Sequence, residues 1–272
     1  MRIGVVAPSS PFERETAARV TALAAKLQPS AELVFHPQCF LSHNHFAGAD
    51  KSRAAGFAEF ANDPALDAIW FARGGYGACR MAEAALARLE APAIAKTYLG
   101  YSDAGTLLAP LYMRGASVAH GPMCQDLVRE GGEAAIARAL AWLVERDLAA
   151  LEPGLDPAHP HAAFNVMVLC QILGTPLMPD LGGHVLLLEE VSEHLYRIDR
   201  ALFTLTSNPA IRKVAGIRLG RCGDIIENDP DFGMDAEAIA KEWCARSGIA
   251  WLGAADIGHD AANKVVPFGM TG

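Results

Sequence analysis

Clustered positive charge is what this 272-residue chain most clearly lacks: 23 lysines and arginines against 31 aspartates and glutamates leave a formal charge of -8. No Lys/Arg run interrupts that balance, so neither nucleic acid nor an acidic membrane surface is an expected partner, since both select a basic face. Cysteine is sparse and scattered. Positions 39, 79, 124, 170, 222 and 244 contain no C-x-x-C, which argues against a zinc or disulfide framework and for reduced thiols in a cytoplasmic protein. Long apolar runs are missing as well. Met1-Arg-Ile-Gly-Val-Val-Ala-Pro8 is a short strand meeting a turn, too brief for a signal-peptide core or a membrane span. Nine histidines include the H-x-H pairs His43/His45 and His159/His161, but both sit in Pro- or Asn-rich surroundings without a helical ligand motif. They read as solvated loop histidines rather than metal ligands.

What is present is apolar sequence, 51% of the chain against 20% charged, enough for one large domain or two of ordinary size. The first half alternates strand and helix. Strands are predicted at 2–7, 31–35, 66–72, 97–101 and 116–119, with helices at 13–27, 51–61, from the glycine turn to 89, 106–113 and about 133–145. Such alternation implies a parallel sheet with helices on both faces, and ligands at the carboxyl ends of its strands. Three prolines and one glycine in Leu151–His161 mark a linker. The chain is therefore divided into a unit over 1–150, a linker over 151–162 and a second unit over 163–272. The second is less regular, with helices expected near 166–173, 195–205 and 235–245, and strands near 184–190, 214–219, 249–253 and 265–268.

Chemistry concentrates at two strand ends. In Lys96-Thr-Tyr-Leu-Gly-Tyr-Ser-Asp-Ala-Gly-Thr106, Ser102 lies between an apolar strand and a helix-forming stretch. A serine on a tight strand-to-helix turn projects its hydroxyl, and the next amide faces any oxyanion formed by its attack. The segment lacks the second glycine of G-x-S-x-G, and a Ser-Asp pair here also suits helix capping. Arg73-Gly-Gly-Tyr-Gly77 follows another strand. Its amides can cradle an anion, or its glycines can simply permit a tight turn. A serine nucleophile needs a base and an orienting acid. His259 in Ile-Gly-His-Asp260, at the end of a plausible strand, is the leading base, with His120 its competitor and His36 a half-buried alternative. For the acid, Leu186-Leu-Leu-Glu189-Glu190 ends a strand in two carboxylates, one on each face, one facing solvent and the other a pocket.

Several further segments complete a pattern: Pro8-Ser9-Ser10, Phe46-Ala-Gly-Ala-Asp50, Gly121-Pro-Met123, Leu173-Gly-Thr-Pro176, Leu188-Glu-Glu-Val191 leading to Tyr196-Arg-Ile-Asp-Arg200, and Val266-Pro-Phe-Gly269. In this order, over nearly the whole chain, they resemble the LD-carboxypeptidases, the serine peptidases that include muramoyltetrapeptide carboxypeptidase and the microcin C self-immunity peptidases. The resemblance implies an α/β fold: a Rossmann-like parallel-sheet amino-terminal domain with a smaller, strand-rich α/β carboxy-terminal domain. It implies a triad of Ser102, Glu189 and His259 split between them, with oxyanion donors at the amides of Asp103 and Gly75. No metal or organic cofactor is implied. Arg73, Tyr76, Asn165 and Arg197 are the substrate-binding candidates, the arginines as receptors for a terminal carboxylate. The implied substrate is murein tetrapeptide, with D-alanine leaving, in cytoplasmic cell-wall recycling by a homodimer.

Two departures bear on that expectation. Members of the family usually carry Gly-Gly-Asn-Leu where this chain has Ala163-Phe164-Asn165-Val166, so Phe164 is expected to narrow or reshape the site. The chain is also shorter than typical relatives, so loops that read the substrate are expected to be trimmed. Rival readings are hydrolysis of a peptide-nucleotide antibiotic by the same machinery, a non-catalytic nucleotide-binding module built on the 73–77 turn, and a degenerate paralogue with a closed site.

Overall fold

Strands that are apolar throughout must be covered on both faces, and the first half of this chain covers them with helices. The computed structural model describes residues 1–269. Its elements run β1 (Arg2–Val6), α1 (Arg14–Leu27), β2 (Glu32–Phe35), α2 (Asp50–Asn62), β3 (Ala68–Phe71), α3 (Ala78–Leu86), α4 (Ala91–Ile94), β4 (Thr97–Gly100), α5 (Gly105–Met113), β5 (Ser117–His120) and α6 (Gly132–Leu140). After the linker come β6 (His161–Asn165), α7 (Val166–Ile172), β7 (Val185–Val191), α8 (Leu195–Ser207), β8 (Gly216–Gly223), α9 (Ala236–Ser247), β9 (Trp251–Ala254) and β10 (Val266–Pro267).

Six strands form one sheet in the order β10-β5-β4-β3-β1-β2, and four form a second in the order β6-β7-β8-β9. The second sheet is parallel throughout, and so is the first except at β10, which runs antiparallel to β5. The expected α/β class, a Rossmann-like sheet followed by a second α/β unit, is the fold observed. One apolar cluster lies between the first sheet and helix α1, which buries Thr16, Ala17, Val20 and Ala24 at helical spacing. The other runs without a break from Phe57, Met81 and Leu107 to Phe164, Leu187 and Leu202, so the two sheets share a core.

Four expectations change. His161 is not a loop histidine: it opens β6, is fully buried, and its Nε2 accepts the Asp156 amide at 3.0 Å. The alanines of His161-Ala-Ala-Phe-Asn165 conceal this strand, because alanine is a poor strand former. The segment 151–162 is more than a linker, since its last two residues open β6 and its start is anchored. The buried Glu152 carboxylate takes a two-pronged contact from Arg218 (2.7 and 2.9 Å) and accepts the Asp256 amide at 3.1 Å. The division into 1–150 and 163–272 does not follow the sheets throughout: β10 crosses back to pair with Ala119 and His120, and the 162/163 boundary cuts β6 after its second residue; the last three positions of that second unit lie outside the described residues. Finally, β9 ends at Ala254, so His259 stands in a loop and not on a strand end. Among the described residues no helix is long and apolar enough to cross a membrane.

Candidate active site

The strand order of the first sheet reverses between β1 and β3, and the carboxyl ends of β3, β4 and β5 are neighbours there. Buried β4 delivers the chain to Ser102, whose φ of 58° is left-handed. A residue with a β-carbon resists that conformation by roughly 1 kcal/mol or more, so the surroundings must impose it. They do so through Asp103, the next residue. Its buried carboxylate accepts Ser9 Oγ–H at 2.5 Å and the Ala78 amide at 2.8 Å, tying the turn to the ends of β1 and of the glycine loop. Burial raises the Asp103 pKa, against the pull of those two hydrogen bonds. Its own amide is the second of a 3-10 turn, where helical acceptors are missing.

The glycine loop after β3 packs onto this turn. A β-carbon on Gly74 would lie 2.9 Å from both Cβ and Oγ of Ser102. Gly75 has φ +114°, which only glycine adopts without strain, and a β-carbon there would collide with Ser10. Buried Arg53 closes the loop from behind, donating to the carbonyls of Gly77 (2.7 Å) and Pro8.

Strand β7 supplies an acid, and the loop after β9 an imidazole. His259 Nδ1 lies 2.5 Å from Glu189 Oε2, with Glu189 fully buried. An ionised carboxylate offers only lone pairs, so the shared proton belongs to Nδ1 and Nε2 keeps its lone pair. Burial alone would disfavour the imidazolium, but the charge and hydrogen bond of Glu189 outweigh it, and the His259 pKa is raised above the ordinary histidine value. Asn263 holds the histidine loop, its Oδ1 accepting the Gly258 amide at 3.1 Å and facing His120 Nε2 at the same distance. Arg221 braces it from outside through Asp256 and Asp260.

Adjacent strand residues point oppositely, and Glu190 accordingly turns away from His259. It accepts Asn165 Nδ2 at 2.6 Å and the Met167 amide at 3.0 Å, and burial pushes its pKa up to about 7. Neither acid meets solvent, contrary to the expectation that one would.

Ser102 and His259 line one cavity of about 100 Å³, together with Arg73, Gly74, Gly75 and Tyr101 from the first lobe and Met123, Gln125, Asp126 and Arg129 from the segment after β5. A larger cleft of about 550 Å³ between Leu148–Pro157 and Lys264 holds no serine, cysteine or histidine. Size alone misdirects here. Among the described residues no cluster of three or more His, Cys, Asp and Glu side chains is placed to hold a metal ion.

Several expected site residues lie elsewhere. His120 is buried beneath Tyr101, outside the cavity lining, its pKa lowered to about 4 by burial. His36 caps a 3-10 turn by accepting the Gln38 amide. Asn165 is the N-cap of α7, its Oδ1 accepting the Val168 amide, and with Nδ2 on Glu190 it has little left for a ligand. Arg197 pairs with Glu193 at 2.5 Å on the surface of α8, beside a different groove. Tyr76 is exposed against His45 and Phe46, outside the lining. Phe164 does not narrow the cavity: its ring is buried against Phe268 at 5.1 Å and beneath Gly105. Conversely, Tyr101, Asp126 and Arg129 line the cavity without having drawn notice in the sequence. A signal was available for Tyr101, which directly follows the carboxyl end of β4; Asp126 and Arg129 lie further along, in and after the 3-10 turn past β5, and the fold brings them there.

Comparison with known proteins agrees with this architecture. Residues 3–121 match the family model described as the LD-carboxypeptidase N-terminal domain, and residues 163–272 the LD-carboxypeptidase C-terminal domain. A Streptomyces coelicolor protein whose name describes a carboxypeptidase is 34% identical over 234 residues, 80% of this chain and 74% of that protein. The murein tetrapeptide carboxypeptidase of Pseudomonas aeruginosa is 27% identical over 251 residues, 84% of this chain and 79% of its own. The crystal structure of muramoyltetrapeptide carboxypeptidase from Oxalobacter formigenes superposes with a TM-score of 0.80 at 23% identity, covering 98% of this chain and 93% of that one.

Proposed function

This chain belongs to the LD-carboxypeptidase family, and from that premise we propose that it is a serine peptidase that cleaves an L,D-peptide bond and releases a carboxy-terminal D-alanine from murein tetrapeptide. The observation that carries the reading is the convergence of the Ser102 hydroxyl and the Glu189-bound imidazole of His259 on one cavity. His259 Nε2 takes the Ser102 proton as Oγ attacks the carbonyl of the L-residue. The oxyanion meets the amides of Asp103 and Gly75, and the imidazolium returns its proton to the departing D-alanine nitrogen. Water, deprotonated by the same histidine, then frees the serine. Glu189 keeps its charge and orients the ring throughout.

A cavity of about 100 Å³ beside Ser102 is of a size to receive a small leaving residue such as alanine. Murein as the source of the peptide and a role in cell-wall recycling are supported by the names of relatives. A cytoplasmic homodimer, implied by the family resemblance, completes the reading. Purified protein should release D-alanine from the tetrapeptide, and Ser102→Ala should lower kcat by about 10⁴-fold or more. A Ser102→Ala enzyme working at the parent rate, or a parent that cleaves only the peptide-nucleotide, overturns it.

A further inference from the structure

An exopeptidase must distinguish a free terminal carboxylate from the amide of a longer chain, and fixed positive charge beside the nucleophile provides that distinction. Two cations line the Ser102 cavity, Arg73 and Arg129. Arg73 gives Nη1 to the Pro11 carbonyl at 3.2 Å, so part of its fork is engaged by the first lobe.

Arg129 is built differently. Its Nε donates to Asp126 Oδ1 at 2.8 Å, which leaves the edge carrying both Nη atoms for a ligand. Asp126 is 2% exposed, and it also accepts Tyr101 Oη–H and the Met123 amide, each at 2.8 Å. Three donors engage both oxygens of that carboxylate, so it orients the guanidinium through Nε and leaves the outer edge free for what the cavity receives. Tyr101 in turn packs against His259, ring centroids 4.8 Å apart. One buried acid therefore fixes the position of Arg129 and, through Tyr101, a wall of the base.

The geometry points to Arg129 as the receptor for the terminal carboxylate of the leaving D-residue, with Asp126 as its positioning residue. This rests on the carboxypeptidase reading above and adds to it the residue that enforces exo-cleavage. Arg129 engages the carboxylate through a two-pronged contact and rejects an amide, which carries no charge and turns N–H donors toward it.

Binding without turnover isolates the claim. In a Ser102→Ala background, calorimetry compares acetyl-L-lysyl-D-alanine with its carboxy-terminal amide. The free acid should bind about 10- to 150-fold more tightly, the range for a charge-assisted contact. Adding Arg129→Gln should abolish the preference, and adding Arg129→Lys, which keeps charge but not the fork, should restore part of it. Thermal melting confirms that each variant is folded. A preference that survives Arg129→Gln, or a background protein that never prefers the acid, overturns the assignment. Turnover by the parent is scored separately: a parent that prefers the acid through Arg129 yet never cleaves the peptide keeps this assignment and sinks the hydrolase reading.

Discussion

Gly74 and Ser102, from two neighbouring strand ends, approach so closely that a single methyl group would not fit between them: a β-carbon on Gly74 would lie 2.9 Å from the serine Oγ and Cβ. The contact makes the glycine loop part of the mould around the Ser102 side chain. Gly74 is not among the residues of positive φ, so alanine suits its backbone and only the space is wrong. Gly74→Ala should therefore displace the Ser102 side chain, lowering kcat/KM about 100-fold or more while melting stays within a few degrees of the parent. Peptidase assays paired with calorimetric melting check this. Near-parent activity would mean that the loop yields.

Under the proposed mechanism the Glu189–His259 pair should set the pH profile. The net effect of the pair is to raise the His259 pKa, so the acidic limb of kcat/KM should stand above the ordinary histidine value of about 6.5. Glu189→Gln removes the strongest influence opposing burial, leaving only the weaker pull of Glu190 against it, and the limb should move to lower pH while kcat falls about 10³- to 10⁴-fold. Stability follows the same sign. An imidazole that binds its proton more tightly when folded contributes stability that is complete below the unfolded pKa and fades as pH climbs through the folded one. The variant should lose that contribution and show a flatter dependence of melting temperature across this range. An acidic limb that stays in place would assign the titration to another group.

Asn165 carries two structural duties and no cavity contact. It caps α7 through the Val168 amide and gives Nδ2 to buried Glu190. Asn165→Ala removes a cap worth about 1 kcal/mol and takes a donor from a buried acceptor, a further 1–3 kcal/mol or so. A loss of about 2–4 kcal/mol in urea unfolding is expected, with KM unchanged for the molecules that remain folded. A raised KM at unchanged stability would return the residue to substrate binding.

What the sequence makes legible follows burial and punctuation. Strands β1, β3 and β4 are apolar beyond their first residue and run to Pro8, Gly74 and Gly100, so their existence and the ends that carry the candidate site can both be read. Period-two alternation places Glu189 and Glu190 on opposite faces, but which one meets an imidazole depends on a loop 70 residues away. Strand β6 stays hidden because two alanines at its centre carry little strand preference. Arg129 follows a short 3-10 turn and looks like any surface arginine; only the long-range meeting of Asp126 with Tyr101 gives it direction. Asn165 stands immediately before a helix, a capping signal that the family resemblance overrides in favour of a binding role.

Phe164 stands where the resemblance leads one to expect glycine. The ring is 1% exposed, edge-on to Phe268, and a β-carbon added to Gly105 at the start of α5 would lie 3.4 Å from its Cδ1. It thus fills space between β6 and the helix that follows Ser102, in the core shared by both sheets. Removing a buried phenyl ring leaves a void that rigid neighbours fill only in part, so Phe164→Ala should cost about 3–5 kcal/mol. The damage should reach the site indirectly, through a loosened start of α5. A serine-directed phosphonate should still label Ser102 in the folded fraction, while urea unfolding begins at lower denaturant. Faster release of bulkier leaving groups at unchanged stability would instead place the ring in the wall of the site.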